Sequence, residues 1–260
     1  MSIDIGNTTE SDTARLASLV DMAAETRQPR YRPPAPMAIA RHDKCLYLRI
    51  KRLMDVVLSC ILLILLSPLL LLIAVLIKLH SPGPVIFSQE RMGYDSHSRK
   101  QRTFVFHKFR SMYHNCDQSV HQEHVKDWIR GKKGAKSSSN HAERVKLTKD
   151  QRVTRVGRIL RYTSLDELPQ LWDVLKGDMS LVGPRPVPLY EVAEYEEWHR
   201  QRLEATPGIT GLWQVKARGR VTLDEMASLD IEYINRQSLC LDLKILLVTP
   251  PAVISGRGAA

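Results

Sequence analysis

The sequence predicts an α+β, mainly helical protein organised around one membrane-seeking helix. Three observations carry this: one long apolar run, two strand-like pieces facing each other across a polar turn, and several later stretches with helical spacing. The apolar run, residues 53–79, reads LMDVVLSCILLILLSPLLLLIAVLIKL and as a helix is long enough to reach across a hydrocarbon layer of ~30 Å. The chain of 260 residues is 43% hydrophobic and 25% charged. Those values suit one domain with appendages and exclude a wholly disordered chain, a collagen-like chain or a multi-span transporter.

The flanks of the apolar run speak to its orientation. Arg49, Lys51 and Arg52 precede it, and Lys78, Arg91, Arg99 and Lys100 follow it, so both ends carry the positive charge that marks cytoplasmic flanks. Two shapes answer this: a helix that enters one leaflet and turns back, or a proline-kinked span with weak charge bias. Ser67-Pro68 sits near the middle, where proline removes a backbone donor and serine can satisfy the freed carbonyl. Asp55 and Ser59, one turn apart, are expected to stay hydrated or to pair with Lys51. The four cysteines, Cys45, Cys60, Cys116 and Cys240, form no C-x-x-C pair, as in a reducing, cytosol-facing setting. A long polar segment precedes the run and no small-residue cleavage site follows it, so a cleaved signal peptide is not expected.

Residues 1–45 contain a Pro-rich basic stretch, QPRYRPPAP, and read as a weakly ordered extension. PVIFSQ and TFVFHKF, separated by a polar turn, predict a hairpin. Residues 126–161 hold twelve Lys/Arg against three Asp/Glu, whereas residue 162 onward has ten against fourteen. Positive charge is thus concentrated mid-chain and near the apolar run, as for a protein facing phosphates or an anionic leaflet. GKKGAKSSSN within that stretch reads as a mobile loop. SLDELPQLWDVLKG predicts a helix with Leu165, Leu168, Leu171, Trp172 and Leu175 on one face, ending at Gly177. A second helix is predicted across VPLYEVAEYEEWHRQRLE, PGITGLWQVKARGR reads as a Gly-rich turn entering a strand, and LDLKILLVTPPAVIS suits an interfacial segment.

The densest chemistry lies in Arg161-Tyr162-Thr163-Ser164-Leu165-Asp166-Glu167-Leu168-Pro169. Ser164-x-x-Glu167 is a capping box, which alone explains the pattern as a helix start; Pro169 disturbs that register, so that Asp166 itself could be the N-cap. Alternatively, two adjacent carboxylates with Arg161 nearby make a nucleophile or metal ligand beside a phosphate site, since an Asp can attack phosphorus to give an acyl phosphate with Mg²⁺ neutralising charge. Downstream, Pro184-Arg185-Pro186 presents a guanidinium on a rigid turn, suited to phosphate, although a Pro-rich turn with an exposed Arg reads the same way.

The ordered series KR-x-x-D, Ser67-Pro68, SPGPVIFSQERMG, KFRSM, SLDELPQLWDVLKGDMSLVGPRP and PGITGLWQV resembles the bacterial sugar transferase family, the monotopic phosphoglycosyl transferases, over roughly residues 49–254. The resemblance implies an α+β, mainly helical monotopic membrane protein with one re-entrant, Ser-Pro-broken membrane helix (46–81) and a cytosolic catalytic domain (82–260) at the bacterial inner membrane. It implies transfer of a hexose-1-phosphate from a UDP-hexose to undecaprenyl phosphate, releasing UMP, as the opening membrane step of exopolysaccharide, capsule or O-antigen synthesis. Carried over residue by residue, Asp166 is the nucleophile, and Glu167 assists Mg²⁺ binding or deprotonation of the lipid phosphate. Arg161 holds the lipid phosphate, the Pro184-Arg185-Pro186 turn lies against the nucleotide, and Lys108 and Arg110 face phosphate charge. Arg218 is a further substrate contact, and Ser67 and Pro68 form the helix break. The family often has Gly at Ala217 and Asn at Asp173, departures that leave the sugar undefined.

Two readings from other classes compete: a non-catalytic scaffold of a polysaccharide assembly complex, against which the intact Asp166-Glu167 pair argues, and a membrane-anchored nucleic-acid binder. No zinc spacing, aromatic RNA-binding motif or helix-turn-helix pattern accompanies the basic stretch, so no nucleic-acid partner is expected. His114, Cys116, His121 and His124 lack a closed metal-ligand set, and a polar surface helix explains them. Trp128, Trp172, Trp198 and Trp213 are expected as core or interface anchors. Membrane lipids are expected partners, and homo-oligomerisation stays open.

Overall fold

The structure is a computed structural model that describes residues 41–96, 98–116, 123, 125–126, 129, 150–217 and 222–254. Residues 1–40 of the expected N-terminal extension, the GKKGAKSSSN loop, His121, His124, Trp128 and Arg218 lie outside the described residues, while residues 41–45, expected to be weakly ordered, are helical. Helix α1 spans Arg41–His80, starting earlier than the apolar run and at ~1.5 Å per residue exceeding the thickness of a hydrocarbon layer. It passes through Pro68 without leaving helical geometry. The reason is local: Pro68 cannot donate to the carbonyl of Ile64, and the Ser67 hydroxyl donates to that same carbonyl at 2.8 Å. By length and composition, the segment Cys45–His80 is apolar enough to cross a membrane, and Ile64, Leu65, Leu71 and Leu79 are exposed.

Of the two expectations for the polar foot of α1, hydration is overturned, whereas Lys51 does act electrostatically on Asp55 while giving its hydrogen bond to Asp242. Asp55 is buried and accepts from the backbone N–H of Leu181 at 3.0 Å, Ser59 is buried, and Lys51 donates to Asp242 at 2.9 Å. Neither Asp55 nor Ser59 remains hydrated, because the foot packs against the rest of the fold rather than meeting water. Arg52 donates to the carbonyls of Val174 and Leu175.

After α1 come strands β1 (Ile86–Asp95) and β2 (Lys100–Phe109), an antiparallel hairpin in unbroken register from Ile86 opposite Phe109 to Asp95 opposite Lys100. The predicted hairpin is present, with both strands longer than their apolar cores. Helix α2 (Arg155–Thr163) is N-capped by Thr154, whose hydroxyl accepts from the N–H of Gly157 at 2.9 Å. It is followed by a 3-10 turn (Leu165–Glu167), helix α3 (Gln170–Lys176), strands β3 (Ser180–Val182) and β4 (Val187–Pro188), and helix α4 (Leu189–Val192). A second 3-10 segment (Glu197–Leu203), β5 (Gly208–Thr210), α5 (Leu212–Lys216), α6 (Leu223–Arg236) and α7 (Leu239–Ile254) complete the described elements.

β4 joins the hairpin edge antiparallel to β1, while β3 and β5 pair in parallel. The core gathers Phe104, Phe106, Leu171, Val174, Val182, Tyr233 and Ile245. One helix expectation is corrected, and one strand expectation is met only at its start. VPLYEVAEYEEWHRQRLE is broken into α4 and a 3-10 segment, with the chain extended at Glu196. In PGITGLWQVK the strand comes first, and LWQVK is helical.

Candidate active site

The hairpin supplies one wall. Its register sets Phe87 opposite Lys108, Gln89 opposite Phe106 and Arg91 opposite Phe104, and the period-two alternation of strands puts all six on one face. There the Lys108 ammonium lies 5.2 Å from the centre of the Phe87 ring, and the Arg91 guanidinium lies 4.6 Å from that of Phe106. Asp173, fully buried on α3, accepts from the backbone N–H and the Nδ1 of His107 at 2.9 and 2.7 Å, fixing the strand one residue before Lys108.

The second wall is the 3-10 turn, which packs against β2. The capping box does not form: Ser164 adopts the left-handed conformation (φ 58°) as the C-cap of α2, and its side chain does not cap the turn. Nor is Asp166 an N-cap; Pro169 holds that position for α3, where a missing N–H costs little. The reversal at Ser164 buries Asp166, leaves Glu167 half-buried, and leaves Trp172 exposed rather than on the apolar face.

The third wall is Pro184-Arg185-Pro186. Gly183 donates to Thr210 at 2.9 Å, and Gly208 donates to the carbonyl of Pro184 at 2.8 Å. A Cβ on Gly208 would stand 2.0 Å from the Gly183 nitrogen, so the close strand approach requires glycine. Arg185 donates to Glu167 Oε1 at 3.2 Å. Arg91 donates through Nη1 to the Pro186 carbonyl at 2.7 Å and through Nη2 to Gln89 Oε1 at 2.9 Å.

These walls converge on one field. Burial pushes the Lys108 ammonium down to about 8; Asp166 opposes the shift, and Arg91, Arg161 and Arg185 add to it. Burial also pushes Arg91 down to about 10, reinforced by Arg185 and opposed by Glu191, Tyr190 and Glu167. The carboxylate of Glu167 holds Arg185 above its ordinary value. The structure therefore brings together Lys108, Arg161, Asp166, Glu167 and Arg185. It does not bring Arg110 to them: that residue lies just past β2, is buried, and donates to the Ser81 carbonyl and hydroxyl and to the Pro82 carbonyl at 2.7–2.8 Å. Arg91, Tyr190 and Glu191 were missed as site residues. The signal for Arg91 was its even spacing from Phe87 and Gln89 in the strand.

Among the described residues, four cations thus surround Asp166, Glu167 and Glu191, an arrangement that attracts phosphates and places a buried carboxylate among them. The comparisons agree with that chemistry. The family model described as bacterial sugar transferase matches residues 46–256. The chain is 43% identical over 178 residues to the galactosyl transferase CpsE of Streptococcus agalactiae, covering 68% of this chain and 36% of that protein. It is 39% identical over 209 residues to the exopolysaccharide production protein ExoY of Sinorhizobium fredii, covering 80% and 87%. To the UDP-glucose:undecaprenyl-phosphate glucose-1-phosphate transferase of Caulobacter vibrioides it is 40% identical over 252 residues, covering 92% and 81%. The chain therefore spans about a third of CpsE and most of the other two. With the match running unbroken from the foot of α1 to the end of α7, the chain belongs to the bacterial sugar transferase family.

Proposed function

We propose that this protein transfers a hexose-1-phosphate from a UDP-hexose to undecaprenyl phosphate, opening the membrane stage of a glycan pathway such as exopolysaccharide, capsule or O-antigen synthesis. The single observation that carries the reading is the burial of Asp166 within reach of Lys108, with Arg91, Arg161 and Arg185 in the same field. A carboxylate oxygen of Asp166 attacks the sugar-linked phosphorus, and the bond from that phosphorus to the bridging oxygen breaks. UMP leaves with the electron pair, and the sugar phosphate stays on Asp166 as an acyl phosphate. An oxygen of the lipid phosphate then attacks the same phosphorus, the bond to Asp166 breaks, and a polyprenyl diphosphate sugar is released. In this reading Arg185, paired with Glu167, holds the nucleotide side, and Arg161 the lipid phosphate.

Mg²⁺ is the implied cofactor. Among the described residues no group of three or more His, Cys, Asp or Glu gathers to cage a metal, but Asp166 and Glu167 fit the open sites in which Mg²⁺ takes one or two carboxylates and shares the rest with substrate phosphates. Bound there, the ion would neutralise charge on the departing nucleotide.

In this reading α1 is a re-entrant helix that enters and leaves the cytoplasmic leaflet of the bacterial inner membrane, holding the site at the headgroup plane where the lipid phosphate lies. Basic residues on both flanks and a proline near the middle of the apolar run support it. Impermeant thiol reagents applied to inverted vesicles should label cysteines placed at both ends of α1; labelling of the two ends from opposite sides would establish a full span instead. The function is tested by UMP release from a panel of UDP-sugars with nanodisc-held protein, Mg²⁺ and undecaprenyl phosphate. Lipid-dependent UMP from one sugar is expected, with a loss on the order of 10⁴-fold in Asp166→Asn, which stays folded and membrane-bound. Wild-type-like turnover by that variant would sink the covalent mechanism, and no UMP from any sugar would favour a scaffold.

A further inference from the structure

Arg185 stands between two prolines, so the segment that carries it has no N–H at either neighbouring position and can be fastened there only through carbonyls. Both carbonyls are fastened. That of Pro184 accepts from Gly208 at 2.8 Å, within the tight β3–β5 approach. That of Pro186 accepts from Arg91 at 2.7 Å, a bond across 95 residues of sequence. Arg91 is itself held on three sides: its second nitrogen donates to Gln89, its guanidinium faces the Phe106 ring, and its backbone lies in the centre of the β2–β1–β4 sheet opposite Phe104 and Pro188. A long cationic side chain is rarely buried unless it is paired. Here two of its donors go to neutral oxygens and its Nε has no hydrogen-bond partner, so ordinary ion pairing does not account for its place.

We infer that Arg91 is a positioning residue for Arg185: by clamping the Pro186 carbonyl to the hairpin face that bears Lys108, it sets the direction in which the Arg185 guanidinium meets the donor's diphosphate. Gly208 fixes the near end of the segment and Arg91 the far end, leaving the Arg185 side chain as the part that meets ligand and Glu167. The inference rests on the sugar-phosphate transferase reading of the site. It adds that most of the effect of Arg91 on the donor, beyond its share of the positive field, is exerted through Arg185, which yields a quantitative signature, because residues acting through one another are not additive.

The test is a double-mutant cycle in nanodisc-held, full-length protein, comparing wild type, Arg91→Met, Arg185→Met and the double variant. It is read both as Kd for UDP and as kcat and KM for the reactive UDP-sugar. Methionine keeps an unbranched apolar stem beside Phe106 and removes the donors. Arg185→Met is expected to weaken UDP binding and raise donor KM by about tenfold. Arg91→Met should approach that loss, with KM moving more than kcat, and the double variant should be within about twofold of Arg185→Met alone. Arg91→Lys, a point charge without the planar fork, should recover little of the loss. Should Arg91→Met fail to fold, Arg91→Lys takes its place in the cycle. Losses that multiply, or full recovery by lysine, would overturn the positioning role. If the wild type binds UDP but releases no UMP from any sugar, the transferase reading fails while the cycle on Kd still decides Arg91; a wild type that binds no UDP overturns both.

Discussion

At the foot of α1 the Lys51 ammonium meets the Asp242 carboxylate at 2.9 Å, and Asp242 also accepts from the hydroxyls of Tyr47 and Tyr233 at 2.9 and 2.7 Å. Deeper in the fold, the fully buried Arg202 and Asp230 pair through two donors at 2.6 and 2.9 Å. Around Asp166 the balance is different. Arg91, Lys108, Arg161 and Arg185 share one field with Asp166, Glu167 and Glu191, and within it Lys108 and Arg91 face the rings of Phe87 and Phe106, with Arg91 bonded to neutral oxygens. A buried cation hydrogen-bonded to a carboxylate offsets part of its desolvation and ties distant elements together. Cations that face rings and neutral oxygens instead raise the local affinity for anions. Direct pairing of a cation with a carboxylate, rather than the mere presence of charge, separates the structural ion pairs from Lys108 and Arg91 of the candidate site in this molecule.

The comparison can be broken first at its structural side. Asp242→Ala leaves the Lys51 ammonium buried without its partner and should lower stability by about 3–5 kcal/mol, read as thermal unfolding in detergent or nanodiscs. The double variant Lys51→Met/Asp242→Leu should recover part of this, because it removes both charges of the pair while Asp55 keeps its bond from Leu181 and loses the nearby Lys51 charge. A single variant as stable as wild type would show that the pair is not buried in solution.

A smaller effect sharpens the other side. Because the Lys108 ammonium is pushed down to about 8, kcat/KM for the donor should fall as pH rises through that value, approaching tenfold per pH unit, as the free enzyme loses the proton and one positive charge. Lys108→Arg should keep the profile flat to higher pH. The stability sign is opposite: an unfolded lysine keeps its proton to about 10.4, so between about 8 and 10.4 the unfolded chain binds more protons and stability rises with pH. An alkaline limb unchanged in Lys108→Arg would remove Lys108 from the group that sets it.

Much of this was legible in the sequence wherever a local rule applied. The Ser67 hydroxyl takes over the bond that Pro68 cannot make, as the dipeptide itself suggests, and the strand-like TFVFHKF does form β2, in the expected hairpin with β1. Local rules failed where distant partners decided. Ser164-x-x-Glu167 has the spacing of a capping box, yet Ser164 turns left-handed to end α2, and Glu167 meets Arg185 instead. Lys108 and Arg110 are two apart and alternation would place them together, but β2 ends at Phe109 and Arg110 turns to Ser81 and Pro82. Arg91 looked like one more basic flank residue, because its partner carbonyl at Pro186 lies 95 positions away.

The separation of Lys51 from Asp242 by 191 positions also bears on how the protein is made. Translation delivers the lysine long before Asp242 exists, so until α7 emerges the foot carries Arg49, Lys51 and Arg52 against Asp55 alone, a net positive charge that attracts anionic headgroups. Contacts with Val174, Leu175 and Leu181 become available to the foot first, and α7 then adds Asp242. The Lys51–Asp242 pair is therefore a late contact in synthesis, available only after α7 has emerged.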